Sequence, residues 1–204
     1  MKDIYIIRHG ETELNRLGIV QGSGVDAGLN KTGQQQAQAF FKNYHHIPFE
    51  VVLTSALRRT HETVSSFVDM GIPWEQFPEI NEIGWGTHEG KPSTPEMREE
   101  YRQVATAWQQ GNFDARMNQG ESAAELAKRL GTFVEHLRQR PEEQILVCGH
   151  GRAIRCLMCL LGEVSLTGMD TFKHHNTGLY QVHYYDDTFH FQLQNDIRHL
   201  EHVI

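Results

Sequence analysis

Three short apolar runs constrain this chain most: Ile4–Ile7, Val51–Leu53 and Gln144–Cys148. Each is continuous rather than alternating, rich in β-branched residues and too short for a helix. Such runs read as strands buried on both faces, the pattern of a parallel sheet covered by helices. Helical patterns separate them. Leu29 to Gly33 leads into one with Ala37, Phe40, Phe41 and Tyr44 on a single face, closed at Pro48. A second runs from Leu57 to Val68, a third from Glu121 to about Arg138, and a fourth from Arg152 to Leu161. The third carries Leu126, Leu130, Phe133, Val134 and Leu137 at helical spacing, with Ser122 and Glu125 placed as a capping box. Near the end, Gly178–Tyr185 and Thr188–Gln194 alternate as a hairpin turned at Asp186-Asp187. The stretch from about Ile83 to Asn118 holds Gly, Pro and charges and reads as an irregular excursion over the surface. These elements predict an α/β fold with a mixed, mostly parallel sheet.

Ligands of such sheets bind beyond the carboxyl ends of the strands. Polar clusters stand at those places: Arg8-His9, Ser55 to Arg59, Glu82 and His150. Parallel strands would bring all four to one rim.

Composition narrows what that rim serves. With 204 residues and 39% hydrophobic content, the chain is read as one domain with a substantial core. Runs such as Cys156 to Leu161 are far short of a membrane span, and the N-terminal stretch reads as a strand rather than a signal peptide. Three cysteines make an odd count and imply no disulfide framework, so a cytoplasmic protein is expected. A net charge of −7 opposes non-specific nucleic-acid binding, which needs a broad basic surface. An anionic ligand therefore requires a local concentration of positive charge. No pattern assigns an oligomeric state.

Two arginines and two histidines on one rim make such a concentration. Arginine donates paired, charge-assisted hydrogen bonds to phosphate oxygens. A neutral imidazole nitrogen is a nucleophile that can carry a phosphoryl group covalently. In-line displacement needs charge stabilised on the equatorial oxygens, which the remaining cations supply. The leaving alkoxide needs a proton, and a desolvated Glu82 is placed to hold one, because burial raises a carboxyl pKa. This chemistry requires no metal and no cofactor. Read without context, an Arg-His pair after a strand is more often structural, so an α/β enzyme with an anion site is as far as spacing alone leads.

The wording of the segments leads further. "RHGET" (8–12) followed by Asn15 resembles the signature of the histidine phosphatase (phosphoglycerate mutase-like) superfamily. "LNKTG" (29–33) is similar to that family's helix entry, with Asn30 in place of Ser or Thr. "TSALRRTHET" (54–63) resembles its S-x-L-x-R-A-x-x-T, with Thr60 where Ala is usual. "INEIGWGTHEG" (80–90), "GESAAELAKRL" (120–130) and "LVCGHGRAIRCL" (146–157) are similar to the blocks bearing the acid, the G-E-S helix and the second histidine. The resemblance implies a three-layer α/β/α sandwich with its site at the strand carboxyl ends. It implies that His9 becomes phosphohistidine, that Arg8 and Arg59 grip the phosphoryl oxygens, that His150 stabilises them and that Glu82 is the proton donor. It also implies that Asn15, Gln21 and Gly22 line the phosphate pocket. Gly149 and Gly151 flank His150, and Gly151 allows the close approach a phosphate needs. Arg155 lies where some sugar-bisphosphatase members contact substrate, although packing accounts for it equally well.

The superfamily holds mutases and phosphatases. In the mutases the acid segment continues to a tyrosine, a lysine and an arginine pair. Here Trp85 and Ser93 stand at or near the first two positions, and no Arg-Arg pair occurs between 90 and 120. Hydrolysis of a small phosphate ester is expected, with a broad-specificity, α-ribazole phosphatase-like or sugar-bisphosphatase-like substrate. Cofactor-dependent mutase activity and a non-catalytic phospho-ligand-binding role are the alternatives. The segment at about 83–118 is expected to form a lid or substrate wall, offering Arg98, Arg102, Arg116, Tyr101, Trp108 and Phe113. Thirteen histidines raise a zinc site, but His45-His46 and His174-His175 are adjacent pairs without ligand spacing. Cys156 and Cys159 lie in an apolar helix and read as core.

Overall fold

In the computed structural model, which describes residues 1–201 and 203, six strands form one sheet in the order β3-β2-β4-β1-β5-β6. These are β1 (Lys2–Arg8), β2 (Val51–Thr54), β3 (Trp74–Gln76), β4 (Gln144–Gly149), β5 (Leu179–Tyr185) and β6 (Thr188–Asp196). The first four in space run parallel; β5 and β6 are antiparallel. The helices are α1 (Glu13–Arg16), α2 (Lys31–Tyr44), α3 (Arg58–Asp69), α4 (Pro95–Gln109), α5 (Ala123–Gln139) and α6 (Gly151–Leu161).

Side-chain alternation along the central strands divides the core in two. Tyr5, Ile7, Val52, Leu146 and Cys148 pack with Phe40 of α2 and Val64 and Phe67 of α3. Ile4, Ile6, Val51, Leu53, Ile145 and Val147 pack on the other face with Leu126, Leu130 and Phe133 of α5 and Ile154 and Leu157 of α6. The architecture is the expected three-layer α/β/α sandwich with a mixed, mostly parallel sheet. At the predicted hairpin turn both Asp186 and Asp187 have positive φ (49° and 56°), which suits a two-residue connection.

Two elements depart from the sequence reading. Residues 95–109 form a fifteen-residue helix inside the supposedly irregular stretch. Pro95 looks like a breaker, yet it sits at the first helical position, where no N–H is needed, behind the capping Thr94. Met97, Val104, Ala105 and Trp108 are its buried face. The second is β3, an exposed edge strand whose Trp-Glu-Gln carries no burial pattern. Helix α2 also ends at Tyr44, before Pro48.

Register builds the rim. Thr54 and Ile7 both pair with Cys148, and Arg8 pairs with Gly149. The residues that follow these strands, Ser55, His9 and His150, therefore leave the sheet side by side. The loop after β1 then lies backbone to backbone on α2. A Cβ at Gly33 would fall 2.0 Å from the Glu11 carbonyl oxygen, and one at Gly10 would fall 2.6 Å from the Gly33 carbonyl oxygen. Gly33→Ala is thus expected to push the His9 loop outward. Overpacking of this kind costs about 1–3 kcal/mol. Urea denaturation and steady-state kinetics on the variant should show a lower unfolding free energy together with a lower kcat.

Candidate active site

His9 follows β1 directly and is 3% exposed. Its N–H donates to the Gly149 carbonyl at 3.0 Å, and its own carbonyl accepts from Asn176 Nδ2 at 2.9 Å. The ring nitrogen Nδ1 lies 2.7 Å from the Gly10 carbonyl oxygen. A carbonyl only accepts, so Nδ1 carries the proton and Nε2 holds the free lone pair. Among the described residues Nε2 has no hydrogen-bond partner, and it is not sealed from solvent. Burial, then the charges of Arg8 and Arg59, hold the imidazole well below its ordinary pKa. It is a neutral base at physiological pH.

Arg8 donates from Nη1 to the His174 carbonyl (2.9 Å) and to His174 Nδ1 (3.1 Å), while its Nε is buried without a partner. Burial lowers its pKa to about 10, so it remains a cation at neutral pH. Arg59 is fully buried. It donates from Nη1 to the Val25 carbonyl (2.7 Å), from Nη2 to the Gly22 carbonyl (3.3 Å) and from Nε to His150 Nδ1 (3.2 Å).

That last bond settles the second imidazole. Because His150 Nδ1 accepts, Nε2 is the protonated nitrogen, and it donates to Ser55 Oγ at 2.7 Å. Ser55 Oγ also accepts from the Leu57 N–H and donates to Thr60 Oγ1 at 2.9 Å, which in turn donates to the Leu57 carbonyl at 2.8 Å. The hydroxyl at Thr60, where alanine is usual in the resembling family, thus closes a directed chain. The His9 and His150 ring centroids are 5.2 Å apart. Burial and Arg59 hold His150 well below its ordinary pKa as well.

Glu82 is 8% exposed and accepts three backbone N–H bonds. Oε1 takes Ile83 (3.0 Å) and Ala153 (3.0 Å); Oε2 takes Arg152 (3.1 Å). Two of those donors are the first turn of α6, where orphan N–H groups and the helix dipole favour an acceptor. Beside this floor opens a cavity of about 290 Å³. Arg8, Gln21, Glu82 and Gly151 line it, and Trp85, Met97, Arg98, Tyr101 and Arg152 form its far wall.

The structure brings Arg8, His9, Arg59, Glu82 and His150 together. Gln21 lines the cavity, with Nε2 on Thr12 Oγ1 (2.7 Å) and Oε1 buried and unpartnered. Gly22 serves through the carbonyl that holds Arg59. Asn15 uses its Oδ1 to cap α1 and is not a lining residue of the cavity. Arg155 lies instead in an adjoining groove with Lys173 and His175, paired to Asp170. Arg102 and Arg116 are engaged outside the cavity by Glu99 and Glu125. Cys156 and Cys159 are core residues. Sequence reasoning missed His174, Asn176 and Arg152, and it placed Ser55 on the rim without giving it a role. For His174 and Asn176 the signal was their place just before β5, the strand that pairs with β1.

Among the described residues four histidines are held neutral: the buried His9, His150 and His199 (to about 4, by burial), and the partly buried His174 (to about 3, by burial and then Arg8). Unfolded, each titrates near 6.5. Below that pH the unfolded chain binds more protons than the folded one, so stability falls as pH falls. Urea denaturation between pH 7 and pH 4.5 should show the unfolding free energy dropping, by up to about 1.4 kcal/mol per pH unit for a fully buried histidine. Ser55→Ala strands the His150 donor and is expected to cost about 1–3 kcal/mol in the same assay.

Known proteins share this fold. A family model described as "Histidine phosphatase superfamily (branch 1)" matches residues 4–197. A relative from Hydrogenobacter thermophilus, "Putative phosphoserine phosphatase 2", is 27% identical over 184 residues, 90% of each chain. The 6-phosphofructo-2-kinase/fructose-2,6-bisphosphatase of Gallus gallus is 36% identical over 157 residues, 76% of this chain but 32% of that one. The chain thus spans about a third of that longer protein. Among solved structures, a "putative alpha-ribazole-5'-P phosphatase" from Escherichia coli superimposes with a TM-score of 0.84 at 25% identity, covering 96% of both chains.

Proposed function

The chain belongs to the histidine phosphatase superfamily, and from that premise we propose that it hydrolyses a small phosphate monoester through a phosphohistidine at His9. One observation carries the reading: the Gly10 carbonyl holds the His9 proton on Nδ1, leaving Nε2 as an unpartnered lone pair beside the partly buried Arg8 and the fully buried Arg59.

Arg8 and Arg59 receive the phosphoryl oxygens. The Nε2 lone pair of His9 attacks phosphorus in line while the bond to the ester oxygen breaks. Glu82 gives its proton to that oxygen, and the alcohol leaves. Water then attacks the phosphohistidine and surrenders a proton to Glu82. The P–N bond breaks, its electron pair returns to Nε2, and orthophosphate departs. The Ser55–Thr60 chain holds His150 against Arg59, so the clamp and the nucleophile keep a fixed relation.

Hydrolysis rather than mutase turnover is supported by the cavity wall. Trp85 lines it at the position where the resembling mutases carry a tyrosine, and Ser93 lines it near the position of their lysine. We read the chain as a single domain whose 83–118 segment, built on α4, is the substrate wall. The named relatives include phosphatases of phosphoserine, fructose 2,6-bisphosphate and α-ribazole phosphate, all small esters. Among the described residues no helix is long and apolar enough to cross a membrane. With three free cysteines and a net charge of −7, a cytoplasmic enzyme of a small metabolite fits better than a nucleic-acid partner.

Rapid quenching should trap an acid-labile phosphoenzyme, located on His9 by mass spectrometry, and His9→Ala should abolish turnover. Full activity in that variant would end the proposal. Because side-chain cations supply the charge, EDTA is expected to leave the rate unchanged. Glu82→Gln should slow alkyl phosphates about 10²–10⁴-fold but aryl phosphates much less, since aryl leaving groups need little protonation. Parallel assays for phosphate release and for mutase turnover decide between the two fates of the phosphohistidine.

A further inference from the structure

The charges facing the cavity do not balance once a phosphoryl group is seated. Arg8, Arg98 and Arg152 line it, Glu82 is the only acidic lining residue among the described residues and is the proton donor of the proposed reaction, and Arg59 is buried. A phosphoryl dianion offsets Arg8 and Arg59, which leaves the far wall positive. Arg98 sits exposed at the rim, its Nη1 on the Ser93 carbonyl at 2.8 Å. Arg152 is different. It is 5% exposed, its guanidinium carbon is 5.7 Å from the Tyr101 ring centre and 5.5 Å from that of Trp108, and its backbone N–H holds Glu82.

A guanidinium has five N–H donors. Arg152 gives one from Nη1 to Asp170 Oδ1 (2.8 Å) and one from Nη2 to the Tyr101 hydroxyl. Its Nε has no protein partner among the described residues and is not sealed from solvent. Donors therefore remain on a side chain that lines the cavity. Nor is its charge cancelled, because Asp170 also pairs with Arg155: one carboxylate serves two guanidiniums. Asp170 is itself fixed by Gln109 of α4 at 3.2 Å.

We infer that Arg152 is the residue that selects the leaving group, admitting phosphomonoesters whose leaving group bears a second anionic group, with Asp170 setting how much of that positive charge is left to the substrate. This rests on the phosphatase reading above. A preorganised guanidinium held between aromatic faces, out of bulk water, binds an anion better than an exposed one, because little side-chain freedom is lost and solvent screens the charge less. Two sources of the anion, a carboxylate and a second phosphate, share this chemistry.

The test compares matched esters. 3-Phosphoglycerate and glycerol 3-phosphate differ by a carboxylate against a hydroxymethyl group; fructose 1,6-bisphosphate and fructose 6-phosphate differ by a second phosphate. The wild-type enzyme should have the higher kcat/KM for the charged member of at least one pair, and which pair it is identifies the anion. In Arg152→Gln that preference should fall about tenfold or more, the neutral ester changing far less. Arg152→Lys, which keeps the charge and loses the fork, should retain part of it. Asp170→Asn should move the ratio the other way, by roughly threefold, since it releases charge toward the cavity. Thermal melting verifies that each variant is folded, and the Lys and Asn variants carry the test if the Gln variant is not. A wild-type preference for neutral esters, or equal losses on both members of a pair, overturns the inference while leaving the phosphatase reading intact. Absence of phosphate release from every ester overturns that reading instead.

Discussion

Two arginines, Arg59 fully buried and Arg8 partly so, with no carboxylate at salt-bridge distance among the described residues, are what the rest of the site is arranged around. Arg59 is fully buried, and its partners are two carbonyls and a neutral imidazole. Arg8 leans on a carbonyl and another neutral imidazole, with its Nε left over. Buried charge without a counter-charge is costly. The arrangement is tolerable because each guanidinium is held by oriented dipoles, and in the proposed reaction a phosphoryl dianion would supply the missing counter-charge. The ground state is thus poised for an anion before one arrives.

The same field explains the histidines. Next to two cations and out of water, an imidazolium would be doubly penalised, so His9, His150 and His174 are all neutral. In the proposed reaction neutrality lets His9 act as the nucleophile, and the Gly10 carbonyl leaves Nε2 as the nitrogen free to attack. It also makes His150 and His174 acceptors for Arg59 and Arg8. Cation and imidazole therefore stabilise each other's form. The cost is borne by the fold, whose parallel core and backbone-on-backbone contact between Gly10 and Gly33 hold the loop in place.

Much of this was legible in the residues. Apolar runs of three to five residues marked the buried strands, and the polar residues just after them marked the rim, because strand ends in an α/β sheet are where backbone stops and side chains become available. The capping box at Ser122 and the hairpin turn at Asp186-Asp187 were equally plain, since both are local. Helix α4 was not. Its apolar residues are spread among charges, and Pro95 reads as an interruption unless its place at the first helical position is known. Asn15 shows the converse limit. The signature is present, yet its side-chain oxygen is spent on capping a helix.

What the sequence determined by itself was the inventory: which strands are buried, which residues end them, and that arginine and histidine gather there. Those properties follow from local periodicity and residue chemistry. What only the tertiary structure decided was how those residues share protons and charge. The tautomers of His9 and His150 depend on which atoms lie opposite each ring nitrogen, and those come from Gly10, Ser55 and Arg59. Arg152 looks like any polar residue opening a helix. It became a cavity wall because α4 folds back and sets Tyr101 and Trp108 against it, fifty-one and forty-four positions away along the chain. Hydrogen-bond direction and burial are properties of contacts between distant segments, and no local pattern records them.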